Sequence, residues 1–420
     1  MKTTGIIAEY NPFHNGHLYQ MQRARKLTGC DFLIIVMSPD FVQRGEPALL
    51  DKWARARMAL LGGADLVLEL PVRYAAASAE FFAKGAVELL DCLGVVDALS
   101  FGCESDRMEP LMEYARFLSE EEPESVSFYL QEKLRQGVSY AEARCLAYLE
   151  YRREEKGSQA GEALRFEEEN TLRKALSSPN NILAVEYLKA ILRSRSRMQP
   201  YPVPRTGCGY HDLMIAGKSD ALSERVSPSS AAGIRAALSE GIDVRDQMPD
   251  ASYELLSEEL SEGRFLTCAD LDLALRLSLH EKQAFLADYA DVSGELANRI
   301  RHLLPEYTGF DQFCALLKTK QIAYTRVRRA LLHILLGLGK KEKQKVSYAR
   351  VLGFRRSAKP LLSDIKRKAS IPLVTRLPSE DSFPELMRED LNATNLWELL
   401  VSQKTGAILR CERQRRLIIL

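Results

Sequence analysis

Two histidines, His14 and His17, stand three residues apart near the start of the chain, with Gly16 between them. They follow an apolar run at residues 5–8 and a sharp Asn-Pro turn, and helix-forming sequence comes after them. This order predicts a buried strand, a tight loop and the N-terminus of a helix. Such a terminus presents unpaired N–H groups and a partial positive charge, so it favours an anion such as a phosphate. Imidazoles can donate hydrogen bonds to phosphate oxygens, and a glycine lets the backbone approach a ligand closely.

Alternating strands and helices are predicted to position this loop. The apolar runs that predict strands are residues 5–8, 31–37, 64–71 and 96–102, and the helical stretches between them are residues 17–27, 48–61 and 77–93. This alternation is typical of an α/β fold with a doubly wound, mostly parallel sheet that is covered on both faces. Ligands of such sheets bind beyond the carboxyl ends of the strands, where the histidine loop, residues 38–47 and Gly102 are expected to meet.

The second part of the chain has a different pattern. From about residue 250 the strand signals disappear, and apolar residues at helical spacing continue to about residue 368. We therefore predict an α/β region at residues 1–245, followed by a mainly helical C-terminal region at residues 246–420.

Composition excludes several classes of protein. With 46% hydrophobic and 27% charged residues, the chain resembles an ordinary soluble globular protein, and its apolar runs are too short to cross a membrane. The strand predicted at the N-terminus leaves no room for a signal peptide. The eight cysteines are scattered without a C-x-x-C pair, which argues against a zinc site and against a disulfide framework. We expect reduced cysteines, no protein-held metal and a cytoplasmic location.

Charge is distributed unevenly along the chain. The net charge is only +1, but residues 318–368 contain sixteen Lys or Arg against two acids, Glu342 and Asp364, a net charge of +14. A solvated helical face would explain such a run in part. We favour a polyanionic partner that contacts this segment.

Four strings make the family more specific. They are EYNPFHNGH at residues 9–17, FVQRGEPA at 41–48, DKWAR at 51–55 and PNNIL at 179–183. Together with GYHD at residues 209–212, they resemble the bacterial tRNA(Met) cytidine acetate ligase family, a branch of the H-x-G-H nucleotidyltransferase superfamily. Residues 324–326 and 350–353 are also similar to that family, though less distinctively.

The resemblance implies a reaction in two steps. ATP and acetate would form acetyl-adenylate and pyrophosphate, and the acetyl group would then pass to N4 of the wobble cytidine of elongator tRNA(Met). ATP, expected together with Mg²⁺, acetate and the tRNA are the implied partners. Residues 1–245 would be the nucleotidyltransferase-like region that activates acetate with ATP, and residues 246–420 the basic region that binds tRNA.

The resemblance also implies roles for individual residues. His14 and His17 would be catalytic, since adenylation requires charge neutralisation and in-line positioning. Of the two adjacent asparagines we favour Asn180, and Arg205 is suited to bidentate pairing with phosphate. The implied ATP-contacting positions are Ile7, Ala8, Glu9, Tyr10, Asn11, Pro12, Phe13, His14, Asn15, Gly16, His17, Leu18, Tyr19, Gln20, Gly102, Asn180, Asn181 and Arg205. The residues expected to bind tRNA are Arg326, Arg329, Lys340, Lys341, Lys343, Lys345 and Arg350.

Some positions and functions stay open. Lys52 could contact phosphate or tRNA, or could pair with Glu46 or Asp51. Ala232 stands where related enzymes commonly have a threonine, and Ser229 or Ser230 could replace its hydroxyl. Two other functions compete with the ligase. One is an adenylyl- or cytidylyltransferase that acts on a small cofactor precursor, and the other is a non-catalytic RNA-binding protein with a relic nucleotide fold.

Overall fold

The computed structural model describes residues 1–104, 108–120, 123–138, 140–155, 170, 172–173, 178–204, 230–320, 322–340, 345–379, 382 and 384–420. Its strands are β1 Thr3–Ala8, β2 Phe32–Met37, β3 Phe41–Val42, β4 Glu46–Pro47, β5 Leu66–Glu69, β6 Ala98–Cys103, β7 Gln199–Pro204, β8 Ala349–Phe354, β9 Leu373–Val374 and β10 Ile418–Ile419. Its α-helices are α1 Asn15–Thr28, α2 Lys52–Leu61, α3 Val72–Ala75, α4 Ala79–Cys92, α5 Glu109–Ser119, α6 Glu124–Arg135, α7 Tyr140–Glu155, α8 Pro179–Ser194, α9 Ala231–Ser239, α10 Asp250–Ser261, α11 Asp272–Glu281, α12 Gly294–Leu303, α13 Phe310–Leu317, α14 Tyr324–Leu336, α15 Lys359–Lys368 and α16 Glu385–Thr405.

One large sheet organises the described chain, with the strand order β10-β8-β5-β2-β1-β6-β7 and with β9 beside β8. Strands β5, β2, β1, β6 and β7 are parallel to one another, which confirms the predicted fold class. The chain moves outward from β1 to β2 and β5, and then returns to the other side of β1 to form β6. The order thus reverses between β1 and β6. A doubly wound sheet binds its ligands at such a switch point.

Strands from the C-terminal region complete this sheet. Strand β8 pairs antiparallel with β5, and β10 pairs parallel with β8. Residues 246–368 are mainly helical as predicted, but the expectation that strand signals disappear there is wrong at β8, because ARVLGF is too short an apolar run to stand out among basic residues. The boundary between residues 245 and 246 stays a prediction. The sheet contains strands from both sides of it.

Alternate residues of the central strands face two separate cores. In β2, Ile34 and Val36 pack on one face of the sheet, and Leu33, Ile35 and Met37 pack on the other. A strand buried on both faces has a continuous apolar run, which explains why the sequence identified it. A third core lies among helices α11 to α14 and α16. Within the described residues, no helix has both the length and the apolar character needed to span a membrane.

Four buried side chains, which we call the buried charge cluster, join the two predicted regions: Lys52, Glu69, Arg350 and Glu412. Lys52 Nζ lies 2.7 Å from Glu69 Oε1 and 2.8 Å from Glu412 Oε1. Arg350 Nη2 lies 2.7 Å from the same oxygen of Glu412. Burial by itself raises the pKa of a carboxyl, but Lys52 and Arg350 outweigh this effect and lower the pKa of Glu412 to about 2. The cluster therefore holds α2, β5, β8 and the C-terminal segment together by charge.

Candidate active site

The chain turns sharply after β1, where the sequence predicts a loop. Tyr10 has a φ of 49°, and the Asn11–Pro12 peptide bond is cis. The rings of Tyr10 and Phe13 are buried beneath the loop and meet edge-to-face, with centroids 4.9 Å apart. Asn11 Oδ1 accepts a hydrogen bond from the Leu49 N–H at 2.7 Å, which ties the loop to the chain after β4. These contacts fix the point at which α1 begins.

His14 and His17 form a reciprocal cap at the N-terminus of α1. The Gly16 N–H donates to His14 Nδ1 at 3.0 Å, and the His14 N–H donates to His17 Nδ1 at 3.2 Å. The two rings stack with centroids 3.7 Å apart, and both are more than nine-tenths buried. Because each Nδ1 accepts a hydrogen bond, each neutral imidazole carries its proton on Nε2. The predicted order of strand, loop and helix is confirmed, and the pair has a defined tautomer at the helix terminus.

Gly16 lies exposed in the first turn of α1. A Cβ atom added to it would lie 2.8 Å from His14 Cε1 and 3.0 Å from His14 Nδ1. These distances are too short for a carbon contact, and the imidazole would have to move. Gly16 therefore leaves room for the His14 ring, in addition to the close backbone approach that the sequence suggests.

In the reaction that the family resemblance implies, replacing Gly16 with alanine is expected to lower the rate of acetate activation about 10- to 100-fold, because a displacement near 1 Å at a reacting site has effects of this size. The melting temperature should change little, since alanine is a better helix former than glycine. Gly294→Ala is the matched control, because Gly294 begins α12 and an added Cβ there meets nothing within 4 Å. Equal rates for both variants, measured by pyrophosphate–ATP exchange with acetate, would contradict the packing role.

Arg55 fixes the loops that follow β1 and β2. Its Nη1 donates to the carbonyl oxygens of Glu9 at 2.7 Å and Ser38 at 3.0 Å, and its Nε donates to the carbonyl oxygen of Leu50 at 3.0 Å. The side chain has no exposed surface. A buried guanidinium whose donors are paired in this way links the loops from beneath. The sequence analysis included Arg55 only within the string at residues 51–55 and predicted no role for it, because the burial of an arginine leaves no pattern along the chain.

Further polar groups of these loops are buried beside Arg55. Glu9 Oε1 accepts a hydrogen bond from the Gln43 N–H at 2.9 Å, and burial raises the pKa of Glu9. Asn11 Nδ2 and Ser38 Oγ are buried, and neither has a hydrogen-bond partner in the described part of the chain. An unpaired buried donor costs free energy. Two such unpaired donors therefore lie in the loops that follow β1 and β2.

Across the switch point, the end of β6 is held by helix α8. Asn181 is buried, and its Oδ1 accepts a hydrogen bond from the Glu104 N–H at 2.7 Å. Asn180 is half-buried and donates to the Glu104 carboxylate. This geometry gives Asn181 a structural role and favours Asn180 for contact with a ligand beside Gly102, although the contact itself stays a prediction. Arg205 lies outside the described residues.

The β3–β4 hairpin connects the histidine loop to α9 and to α14 of the second region. Glu46 pairs with Arg235 of α9 at 2.5 Å and with Arg328 of α14 at 3.0 Å. Arg235 also donates to the carbonyl oxygen of Asn11 at 2.7 Å. A Cβ atom at Gly45, which has a φ of 72°, would lie only 2.5 Å from a backbone nitrogen of α14. Glycine at this position allows the hairpin to press directly against the helix.

Two positions that the sequence left open have a structural explanation. Lys52 belongs to the buried charge cluster, and its closest carboxylates are those of Glu69 and Glu412 rather than Glu46 or Asp51. The Ser230 hydroxyl caps α9 by accepting a hydrogen bond from a first-turn N–H at 3.1 Å. The threonine hydroxyl that is missing at Ala232 is therefore not needed to cap this helix.

The residues predicted to bind tRNA differ in their exposure. Arg326, Lys340 and Lys345 are exposed. Arg329 is mostly buried and pairs with Asp291 at 2.8 Å. Lys341 and Lys343 lie outside the described residues.

Arg350 requires a correction. It is 5% exposed, lies in β8 and pairs with Glu412 and Glu69 in the buried charge cluster. A guanidinium enclosed in this way has no surface to offer a phosphate. We therefore remove Arg350 from the predicted RNA-binding residues.

Comparisons with known proteins place the chain in a family. Residues 1–410 match the family model HIGH Nucleotidyl Transferase. Proteins named tRNA(Met) cytidine acetate ligase from Clostridium kluyveri and Acetivibrio thermocellus are each 39% identical to the chain, over 95% and 94% of both partners respectively. A crystal structure of Thermotoga maritima TmcAL bound with alpha-thio ATP has a TM-score of 0.85 and 32% identity, and the match covers 100% of both chains. The apo form of that protein has a TM-score of 0.86 and 33% identity, again over 100% of both chains.

The fold, the geometry at the switch point and the similarity to these relatives over nearly the full length of the chain lead to one conclusion. The chain belongs to the HIGH nucleotidyltransferase family and, within it, to the tRNA(Met) cytidine acetate ligases.

Proposed function

We propose that this chain is an ATP-dependent ligase that activates acetate as acetyl-adenylate and acetylates N4 of the wobble cytidine of elongator tRNA(Met), in the cytoplasm. The observation that carries the proposal is the paired-histidine cap at the switch point of the sheet. It is supported by relatives that are named tRNA(Met) cytidine acetate ligase and by a related structure that is bound with an ATP analogue.

The first step requires phosphate binding at the histidine loop. A carboxylate oxygen of acetate attacks the α-phosphorus of ATP, and the bond to the bridging oxygen breaks and releases pyrophosphate. Negative charge is concentrated on the phosphates in this step, so preorganised donors and a helix N-terminus favour it. The Nε2–H groups of His14 and His17 are suited to this role, since their Nδ1 atoms accept main-chain hydrogen bonds.

The second step transfers the acetyl group. N4 of the cytidine attacks the carbonyl carbon of acetyl-adenylate, and AMP leaves with the electron pair of the broken C–O bond. N4 then loses a proton. The protein contributes by holding the reacting atoms close together and in line.

Acetate is proposed to bind beside Arg55. The unpaired donors Asn11 Nδ2 and Ser38 Oγ are buried in the two loops that the Arg55 guanidinium links. An acetate oxygen that accepts a hydrogen bond from either donor would offset the free-energy cost of leaving that donor unpaired.

Magnesium is proposed to arrive with ATP. Mg²⁺ usually keeps several waters and is held by substrate phosphates together with few protein groups. The described residues contain no group of three or more His, Cys, Asp or Glu side chains that could hold a metal ion. The phosphates of ATP would then supply most of the ligands.

Exposed basic residues of the second region are proposed to contact the tRNA. Arg326, Lys340 and Lys345 are exposed, and the segment around them has a net charge of +14. Contacts of this kind give an affinity that falls steeply with salt concentration.

One experiment separates the ligase from its two competitors. The protein is incubated with ATP, labelled acetate and bulk tRNA, and the nucleosides are then analysed. Label in N4-acetylcytidine is the expected result. Pyrophosphate release with another small molecule and none with acetate would indicate a cofactor-type nucleotidyltransferase. Binding of tRNA without any ATP turnover would indicate a non-catalytic RNA-binding protein.

A further inference from the structure

A groove of about 460 Å³ lies between α2, α10 and the C-terminal segment. Its lining includes Trp53, Arg57, Leu255, Arg410, Gln414 and Arg416. It borders β10, which lies at the opposite end of the strand order from β6 and β7. The groove lining shares no residue with the candidate active site at the β1–β6 switch point, and it contains no residue of the basic segment at residues 318–368.

Two of the arginines in this groove are neutralised. Arg264 pairs with Glu259 at 2.6 Å and also with Glu262. Arg415 pairs with Asp51 at 2.9 Å and also with a second carboxylate on α16. Each of these arginines faces two carboxylates, so the floor formed by the pairs has a net negative charge.

Three other arginines at the groove remain uncompensated. Arg57, Arg410 and Arg416 are exposed, and none of their side chains has an ion pair or hydrogen bond in the part of the chain that the structure describes. The only groove carboxylate outside the pairs just described is that of Glu258, again among the described residues. The lining as a whole contains five arginines and three carboxylates, so its net charge is +2.

The chemistry of the groove fits a phosphodiester backbone. A guanidinium presents a planar fork of donors that matches two phosphate oxygens. The arginines come from two separate elements and lie exposed at the groove, whereas a site for one small anion would gather buried donors around a point. Leu255 is half-buried and adds apolar surface against which sugar or base can pack, whereas Trp53 is largely buried beneath the groove.

We propose that this groove binds the phosphate backbone of the RNA substrate, as a contact additional to the exposed residues of the basic segment. The inference rests on the proposed function for the identity of the RNA, a tRNA. RNA is favoured over a free nucleotide because a folded tRNA is much larger than a site for one nucleotide. It must therefore contact the protein at several distant places. Attraction between the exposed arginines and the backbone is long-ranged and weakened by salt.

The test compares two triple variants that change net charge equally. Arg57→Gln/Arg410→Gln/Arg416→Gln alters the groove. Lys26→Gln/Lys84→Gln/Arg197→Gln alters three exposed cations elsewhere, which also have no ion pair among the described residues. Binding of bulk tRNA is measured by filter binding over a range of salt concentrations. Thermal melts check that both variants fold as the wild type does.

The groove variant should bind tRNA about 10- to 100-fold more weakly at low salt, and the slope of log K against log salt should fall by about 2, since each phosphate contact contributes about 0.7–0.9. The control triple should change affinity much less. The corresponding triple change to lysine keeps the charges and should recover most of the affinity. Wild-type affinity and slope in the groove variant, or an equal loss in the control triple, would overturn the proposal.

Binding is measured without turnover, so the two proposals can fail separately. A wild-type chain that binds tRNA through the groove but never acetylates it would contradict the proposed function and would support the groove as an RNA site. If the wild type acetylates tRNA and the groove variant binds tRNA with wild-type affinity, the proposed function stands and only the proposed RNA contact at the groove is contradicted.

Discussion

Replacing His14 with asparagine is expected to slow acetate-dependent pyrophosphate–ATP exchange by about 100- to 1000-fold while the fold stays intact. Asparagine places an oxygen near the position of Nδ1, and it is among the best N-cap residues. It can therefore keep the hydrogen bond from the Gly16 N–H. What it lacks is the Nε2–H, which we assign to the phosphates. The variant thus separates the capping role of His14 from its role in catalysis.

Two further variants complete this test. His14→Ala should lose the same rate and also about 1 kcal/mol of unfolding free energy, because the cap is removed. His280→Asn, an exposed position on α11, should change neither quantity. If His14→Asn retained the wild-type exchange rate, the ring would act only as a helix cap, and the proposed phosphate contact would be wrong.

Replacing Lys52 with methionine is expected to lower the free energy of unfolding by about 3–5 kcal/mol, because removing one partner of a buried ion pair leaves the other charge uncompensated. Both close carboxylates, Glu69 and Glu412, have at most 3% exposed surface. Arg350 would remain as their only cation within the buried charge cluster. Urea denaturation at neutral pH measures the loss.

The pH dependence of stability provides a second measure of the same change. The pKa of Glu412 is lowered from its ordinary value of 4.5 to about 2. A carboxyl with a lowered pKa stabilises the fold fully above its unfolded pKa, and this stabilisation disappears as the pH falls toward the folded pKa. Without Lys52 the pKa of Glu412 should rise. The wild type should then lose more unfolding free energy than Lys52→Met between about pH 5 and about pH 3.

A matched control distinguishes burial from charge. Arg367 is exposed and pairs with Asp364 on α15. Arg367→Met removes one positive charge from a solvated pair and should leave the denaturation midpoint unchanged. Equal midpoints for Lys52→Met and the wild type would show that the buried charge cluster contributes little to stability.

The sequence predicted the parts of the fold that have a strong local signal. Strands such as β2 are buried on both faces and therefore appear as continuous apolar runs. Strand β8 has no such run, and its partner β5 lies nearly three hundred residues earlier in the chain. Pairing between distant segments leaves no periodic pattern in one sequence, so the completed sheet could not be predicted.

In the candidate site, too, features with a local sequence signal were predictable, and features that depend on distant contacts were not. The order of strand, loop and helix around His14 and His17 was predicted, but the reciprocal cap was not, because a capping box is normally formed by Ser or Thr with Glu or Gln. The burial of Arg350 was not predicted either, because counting charges cannot distinguish an exposed arginine from one paired inside the protein. Arg55 escaped notice for the same reason. Its role depends on carbonyl oxygens from three separate loop positions.

The placement of β8 beside β5 has a consequence for how the protein is made. The ribosome must add about 280 residues after β5 before β8 has been translated, which takes about 15–60 s at 5–20 residues per second. During this interval the nascent sheet ends in an open edge at β5, and such edges are prone to pair with other chains. Lys52 also lacks its ion-pair partner Glu412 during this interval, because Glu412 is translated near the end of synthesis. A ribosome that stops early therefore releases a chain whose histidine loop is complete but whose sheet is unfinished.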